Sequence, residues 1–348
     1  MRACGPPVVL AVCLASGAAA ADVSKGVLSQ RYSYNNDRIV TSSYSHSVIL
    51  CFADECSVEG SVIIPDVPST ATERAILVSG FAYEGAHAPT QQLSMKTEII
   101  DYDSMTGEFR WSAVFYAGLP LGSQYEVAYE FTVVFGLPQY FSVVEIDGGC
   151  EFDPGMGQCY DSRVVPDVVP AGMKFLGFAL HGFSMSANSM INLGRVAIDV
   201  SQVATVFYPP GARRNTMTCE MLGLNASGQI EDFSCSAQIV GIAFGDDWLD
   251  DTDTEKTKLL AGTGPEYLAE SWPTNGVGLF SGLKAFALQS QSGTFQRITD
   301  ISVGCEQAHL DPQASEGVVV WGADFGGLTP DTWQAEQKCM IGGLVIGQ

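Results

Sequence analysis

Two stretches of this chain, GEFRWSAVFYAG (107–118) and YEVAYEFTVVFG (125–136), alternate apolar and polar residues or run apolar throughout. A period of two sends successive side chains to opposite faces, which is strand geometry, and Val, Phe and Tyr suit a half-buried pleated surface. No stretch carries the i, i+3, i+4 stripe of a long amphipathic helix. Gly, Pro, Asp and Ser punctuate the apolar runs. DSMTGE (103–108) and NASGQ (225–229) place Gly where a tight reversal needs positive φ. The 37 glycines and the 16% share of charged residues describe a turn-rich β protein rather than a disordered chain. The exception is 245–276, where a short helix is expected.

A second pattern lies over the first. SVIIPDVPS (61–69) is echoed by SRVVPDVVP (162–170), about a hundred residues on. Cys51, Cys56, Pro65 and AILVSGFA (75–82) are answered in order by Cys150, Cys159, Pro166 and KFLGFAL (174–180). MKTEIID (95–101), GRVAID (194–199) and QRITDIS (296–302) follow, aligning Lys96, Arg195 and Arg297. EFTVVFG, QIVGIAFG and GGLVIG close the copies at Gly136, Gly245 and Gly347. The third copy lacks the early cysteines and keeps GLFSGLKAFAL (278–288). Repeats of this length are tandem domains rather than solenoid units. The expected architecture is all-β: three tandem antiparallel β-sandwich modules of about 100 residues, at 22–137, 138–246 and 247–348, each of five to seven short strands.

The N-terminus MRACGPPVVLAVCLASGAAAAD has one Arg, an apolar run and small residues, which reads as a secretory signal peptide over 1–21. Its removal takes away Cys4 and Cys13 and leaves Cys51, Cys56, Cys150, Cys159, Cys219, Cys235, Cys305 and Cys339. An even count in an exported chain implies disulfides, and sequence neighbours suggest 51–56, 150–159, 219–235 and 305–339. The expected location is extracellular or periplasmic. A formal net charge of −22 argues against nucleic acid and anionic membrane surfaces as partners. No later segment is apolar for long enough to insert into a membrane.

The densest charge is Asp246, Asp247, Asp250, Asp251, Asp253 and Glu255. Such a loop could hold calcium, yet Lys256 stands where the calcium-loop pattern needs Gly, so a solvated linker is the other reading. His46, His87, His181 and His309 are scattered without metal-ligand spacing, and no nucleophile elbow, zinc-protease motif or phosphate loop is present. No enzymatic activity is expected. Asn225–Ala226–Ser227 is a glycosylation sequon.

The order of features resembles the H-type lectin domain. Pro65 and AILVSGFA, Lys96 in KTEIID, Gly107–Glu108–Phe109, Tyr116 in the place of the family's Trp, Tyr125 and TVVFG carry the resemblance in the first module. Arg195 carries it in the second, and Arg297, Trp321 and Asp331–Thr332 in the third. The resemblance implies a six-stranded β-sandwich that binds galactose or N-acetylgalactosamine. It also implies trimers with sugar held between neighbours, which three copies on one chain would form as an intramolecular pseudo-threefold monomer. Lys96, Tyr116, Tyr125, Arg195, Arg297 and Trp321 are then the candidate carbohydrate-binding residues, since a sugar wants a polar partner for its hydroxyls and an aromatic plane for its apolar face. The expected partners are glycans or glycoconjugates. The competing expectation is a structural or adhesive surface protein with no sugar site, its aromatics serving only as core.

Overall fold

The computed structural model describes residues 27–343 apart from 37–38, 52–54, 121–122, 152–158, 166–172, 205–212, 246–254, 274–278, 292, 312–315 and 328–331. Residues 1–21, the second Pro-Asp-Val and Asp246, Asp247, Asp250, Asp251 and Asp253 lie outside this set, as do the side chains of Cys150, Cys159 and Glu255.

Among the described residues every regular element is a strand. The first stretch supplies β1 (Val27–Asn36), β2 (Ile39–Cys51), β3 (Glu55–Ile63), β4 (Glu73–Ala88), β5 (Thr90–Asp103), β6 (Glu108–Ala117) and β7 (Tyr125–Gly136). The second supplies β8 (Phe141–Glu151), β9 (Cys159–Val165), β10 (Met173–Ala204), β11 (Arg213–Leu224) and β12 (Phe233–Gly245). The third supplies β13 (Glu255–Gly262), β14 (Glu266–Pro273), β15 (Leu279–Ser290), β16 (Ile298–Asp311), β17 (Glu316–Gly327) and β18 (Trp333–Gly343). Of 245–276, where a short helix is expected, the described residues 255–273 hold β13 and β14 instead, whose backbones are satisfied by pairing with β18 and β17. The expectation of uniformly short strands fails at β10, which runs for 32 residues.

Among the described residues all strand pairings are antiparallel. One sheet has the order β1-β2-β7-β4-β16-β17-β14. The length of β10 lets it serve two others. Its first half pairs with β12 and β5, giving β8-β12-β10-β5-β6-β3. Its second half pairs with β15 and β11, giving β13-β18-β15-β10-β11-β9. Every sheet thus draws strands from two stretches, and the two groups meet at a seam: β4 with β16, β10 with β5, β15 with β10.

Burial follows the alternation. In β6, Phe109, Trp111, Ala113, Phe115 and Ala117 turn inward and the residues between them outward. Trp111 packs against Phe131 of β7 and donates its Nε1–H to the Tyr129 hydroxyl at 3.0 Å, so the indole is buried without an orphaned donor. At the centre Phe81 of β4, Phe183 of β10 and Phe286 of β15 touch one another, with centroids 5.0, 5.3 and 5.5 Å apart. Each follows a bulged residue, Ser79, His181 or Lys284, and then a small one, Gly80, Gly182 or Ala285. The bulges turn the strands so that all three rings reach one point.

Among the described residues three disulfides join different sheets: Cys51–Cys56 links β2 to β3, Cys219–Cys235 links β11 to β12, and Cys305–Cys339 links β16 to β18. Bridges of this kind suit an oxidising environment. The two expected glycine turns form, with Gly107 at φ 74° and Gly228 at φ 75°. Asp103 Oδ1 accepts from the Met105 amide at 2.8 Å, and Asn225 Oδ1 from the Ser227 amide at 2.9 Å. These side chains substitute for the backbone partners that the turns lack.

Candidate functional site

The seams are where side chains from different stretches converge on an outward face. At the β10–β5 seam one row of cross-strand partners reads Gln238, Gly182, Lys96, Val114 and Ser57. Gln238, Lys96 and Val114 of this row line a cavity of about 520 Å³, together with Ser94, Glu98, Ser112, Phe183, Ser184 and Ser236. Lys96 is exposed and pairs with Glu98. Gln238 Oε1 is buried beside Gly182 without a hydrogen-bond partner. Gly182 is forced by crowding, since a Cβ would sit 2.8 Å from the Met95 carbonyl oxygen. Tyr116 stands opposite Ser94 on the same outward face, one diagonal step from Lys96.

At the β15–β10 seam the row reads Lys338, Ala285, Asp199 and Thr218. Lys338 Nζ reaches Asp199 Oδ2 at 2.6 Å. Arg195, half-buried in the same cavity of about 180 Å³, is spanned by Glu220 and Gln289. Its guanidinium is committed to protein partners.

At the β4–β16 seam the row reads Ser45, Glu130, Gly80, Gly304, Gly322 and Tyr267. Four residues further along β4, Glu126, Glu84 and Asp300 form a row of their own, carboxylate opposite carboxylate. Burial, then Asp300 and Glu126, hold the Glu84 carboxyl above its ordinary range. Asp324 is pushed up to about 6, by burial first and then by Asp300 and Glu84.

The six sugar-binding candidates therefore part company. Lys96 and Tyr116 share one outward face. Arg195 lies at another seam. Arg297 is exposed just before β16, outside the seam cavities described above. Tyr125 and Trp321 are 2% and 0% exposed, because the alternation of β7 and β17 turns them inward, so the expectation of a sugar-facing ring at either position is corrected. The alignment of Lys96 with Arg195 and Arg297 is also corrected by register: Lys96 faces Gly182 across its seam, and the residues in the equivalent place are Asp199, facing Ala285, and Gly304, facing Gly80. Gln238 and Tyr267 were missed, and only the strand pairing reveals them. Of the acidic run only Glu255 falls in a described element, at the start of β13. Among the described residues no three His, Cys, Asp or Glu side chains are placed to hold a metal ion, and no helix is long and apolar enough to cross a membrane.

No family model matches the chain, and no curated protein does. Among solved structures it is similar to the major capsid protein P2 of bacteriophage PM2, at 7% identity over 62% of this chain and 97% of that one, with a TM-score of 0.22. PNGase F, a glycosylasparaginase from Flavobacterium meningosepticum, gives 11% identity over 64% and 97%, with a TM-score of 0.23. A triple jelly roll protein of an archaeal virus gives 12% over 92% and 90%, with a TM-score of 0.14. At such scores nothing about activity transfers from them.

Proposed function

We propose that the chain is a secreted carbohydrate-binding protein that recognises galactose or N-acetylgalactosamine at the β10–β5 seam. One observation carries the reading: serine hydroxyls, an amide side chain, an ammonium–carboxylate pair and a tyrosine share one outward face. These are the groups that pair with sugar hydroxyls and cover an apolar sugar face. Lys96 and Gln238 hold the hydroxyls, Glu98 orients Lys96, and Tyr116 flanks the ring. Arg195 tethers its own seam instead of touching ligand. The recurrence of the pairing order across three seams, and the meeting of Phe81, Phe183 and Phe286, support three modules closed into an intramolecular pseudo-threefold monomer. Small-angle scattering is expected to give a compact particle, and an extended chain of three beads would refute that arrangement.

A glycan array on oxidised protein from Asp22 to Gln348, with calcium and with chelator, tests the sugar reading. Selective binding to galactose-type glycans in both buffers supports it. Binding only with calcium would move the site to the acidic run at 246–255. No binding by folded protein would favour the second reading, a structural or adhesive surface protein. The burial of Tyr125 and Trp321 speaks for that reading, since two of the three candidate aromatics serve the core. Export is supported by the disulfides and the N-terminal sequence, and is tested by finding Asp22 at the start of the mature protein.

A further inference from the structure

The three seams share one strand order, so each is a control for the others. At the β10–β5 seam the row of cross-strand partners next to that of Gly182 reads Ser236, Ser184, Ser94 and Tyr116. The equivalent row at the β15–β10 seam is Glu336, Ala287, Ala197 and Glu220. At the β4–β16 seam it is Ala128, Ala82, Ser302 and Asp324. Both other seams place alanine where Ser184 stands, so the backbone there does not need a hydroxyl. A second serine pair, Ser186 opposite Ser234, follows on the same side of the same strands, and Gln92 of β5 faces Ser186.

These side chains are presented rather than packed. Ser234 and Ser236 are exposed, and Ser94, Ser184 and Ser186 are half-buried. The alternation of β10 and β12 sends Met185, Phe233 and Cys235 into the core instead. Gln92 Nε2 donates to the Ser184 hydroxyl at 3.3 Å, and in accepting it that hydroxyl keeps its own hydrogen. Ser94, Ser184 and Ser236 line the same cavity as Lys96, Glu98 and Gln238.

Neighbouring strands lie about 4.8 Å apart, so the row from Ser236 on β12 to Tyr116 on β6 is about 14 Å long. That exceeds the span of one hexose. Gln238 leans over Gly182 toward Lys96, its Oε1 3.2 Å from where a Gly182 Cβ would be, so Lys96 and Gln238 close on a single sugar unit. The serines of β10 and β12 lie to one side of that unit. A serine hydroxyl both donates and accepts, as a sugar hydroxyl does. Ser184, Ser186, Ser234 and Ser236 offer no charge and no large apolar side chain, the anchors on which an ionic ligand or a protein partner depends.

We propose that this face binds a linear, neutral oligosaccharide, with one galactose-type unit at Lys96, Glu98 and Gln238 and the adjoining units on the β10–β12 serines. The extended site rests on the sugar reading above and adds the chain that continues from the bound unit. Ser184 and Ser236 exchange hydrogen bonds with the second unit, and Ser186 and Ser234 with the third.

The test is a ligand-observed NMR titration of the whole oxidised chain with galactose, linear galactobiose and linear galactotriose. Galactotriose is expected to bind about tenfold more tightly than galactose, as one or two further hydrogen bonds give. The double variant Ser184→Ala/Ser236→Ala is expected to lose that gain and to keep its affinity for galactose. The fold tolerates the change, since Ala82 and Ala287 fill the place of Ser184 at the other seams, and Ala128 that of Ser236. Equal affinity for galactose and galactotriose overturns the extended site and leaves the single-unit reading standing. A gain that survives the double variant overturns it too. So does loss of galactose binding in the double variant, which would place the serines around the first unit. No binding of any of the three sugars by folded protein overturns the sugar reading, and the extended site with it.

Discussion

The β10–β5 and β4–β16 seams share a strand order and differ in what stands on it. At the first, Lys96 and Gln238 flank Gly182, and serines with Glu98 complete a polar cavity. At the second, Gly304 and Gly80 occupy the positions of Lys96 and Gly182, Glu130 that of Gln238, and the field is acidic. The backbone arrangement therefore does not decide what a seam binds. It supplies an outward-facing junction of two sheets, and one or two side chains per row set its polarity. The β15–β10 seam shows a third outcome, in which Lys338 and Asp199 close the row on themselves.

The sharpest way to break this comparison is at the shared centre. Phe81→Ala, Phe183→Ala and Phe286→Ala should each cost about 3–5 kcal/mol in urea denaturation, because each empties one third of the same ring cluster. Costs that differ by more than about 2 kcal/mol would show that the three strands are not interchangeable supports.

Removing disulfides comes next. Loop closure predicts a cost of about 4 kcal/mol for losing Cys305–Cys339, whose sequence separation is 34, and about 2 kcal/mol for Cys51–Cys56, at 5. Paired Cys→Ala variants compared by thermal unfolding check the order, and a reversed order would mean that local packing outweighs chain entropy.

A smaller effect distinguishes the acidic seam by its pH dependence. The raised Asp324 carboxyl binds its proton more tightly in the folded chain than in the unfolded one. The stability it contributes is present in full below the ordinary carboxylate range and is lost as pH rises through about 6. Asp324→Asn should therefore raise the melting temperature by about 2 °C at pH 7 and leave it unchanged at pH 3.5. A pH-independent gain would assign the effect to packing. Lys96→Ala should change stability least, by less than about 1 kcal/mol, since its ion pair with Glu98 is exposed.

The strands were legible in the alternation of GEFRWSAVFYAG and YEVAYEFTVVFG, and three disulfides in the order of the cysteines. The turns at Gly107 and Gly228 were legible because positive φ leaves a residue signature. Hidden from the sequence was which strand lies beside which. Lys96, Arg195 and Arg297 occupy similar places in similar words, yet the cross-strand register makes Asp199 and Gly304 the equivalents of Lys96 at the other two seams. Bulges at Ser79, His181 and Lys284 have no local signature strong enough to read. The same limit concealed Gln238 and Tyr267, each of which enters a seam only through cross-strand pairing. The even spread of Val and Phe also conceals which aromatics face outward, so Tyr116 could not be told from Tyr125.

The central claim is that sugar binds on the Lys96 face. Titrating N-acetylgalactosamine into the oxidised wild-type chain and into Lys96→Ala, followed by ligand-observed NMR, tests it most directly. Saturable binding that weakens by about tenfold or more in the variant is the predicted result, as loss of a charged hydrogen-bond donor requires. Identical binding by both proteins, or none by the folded wild type, would contradict it.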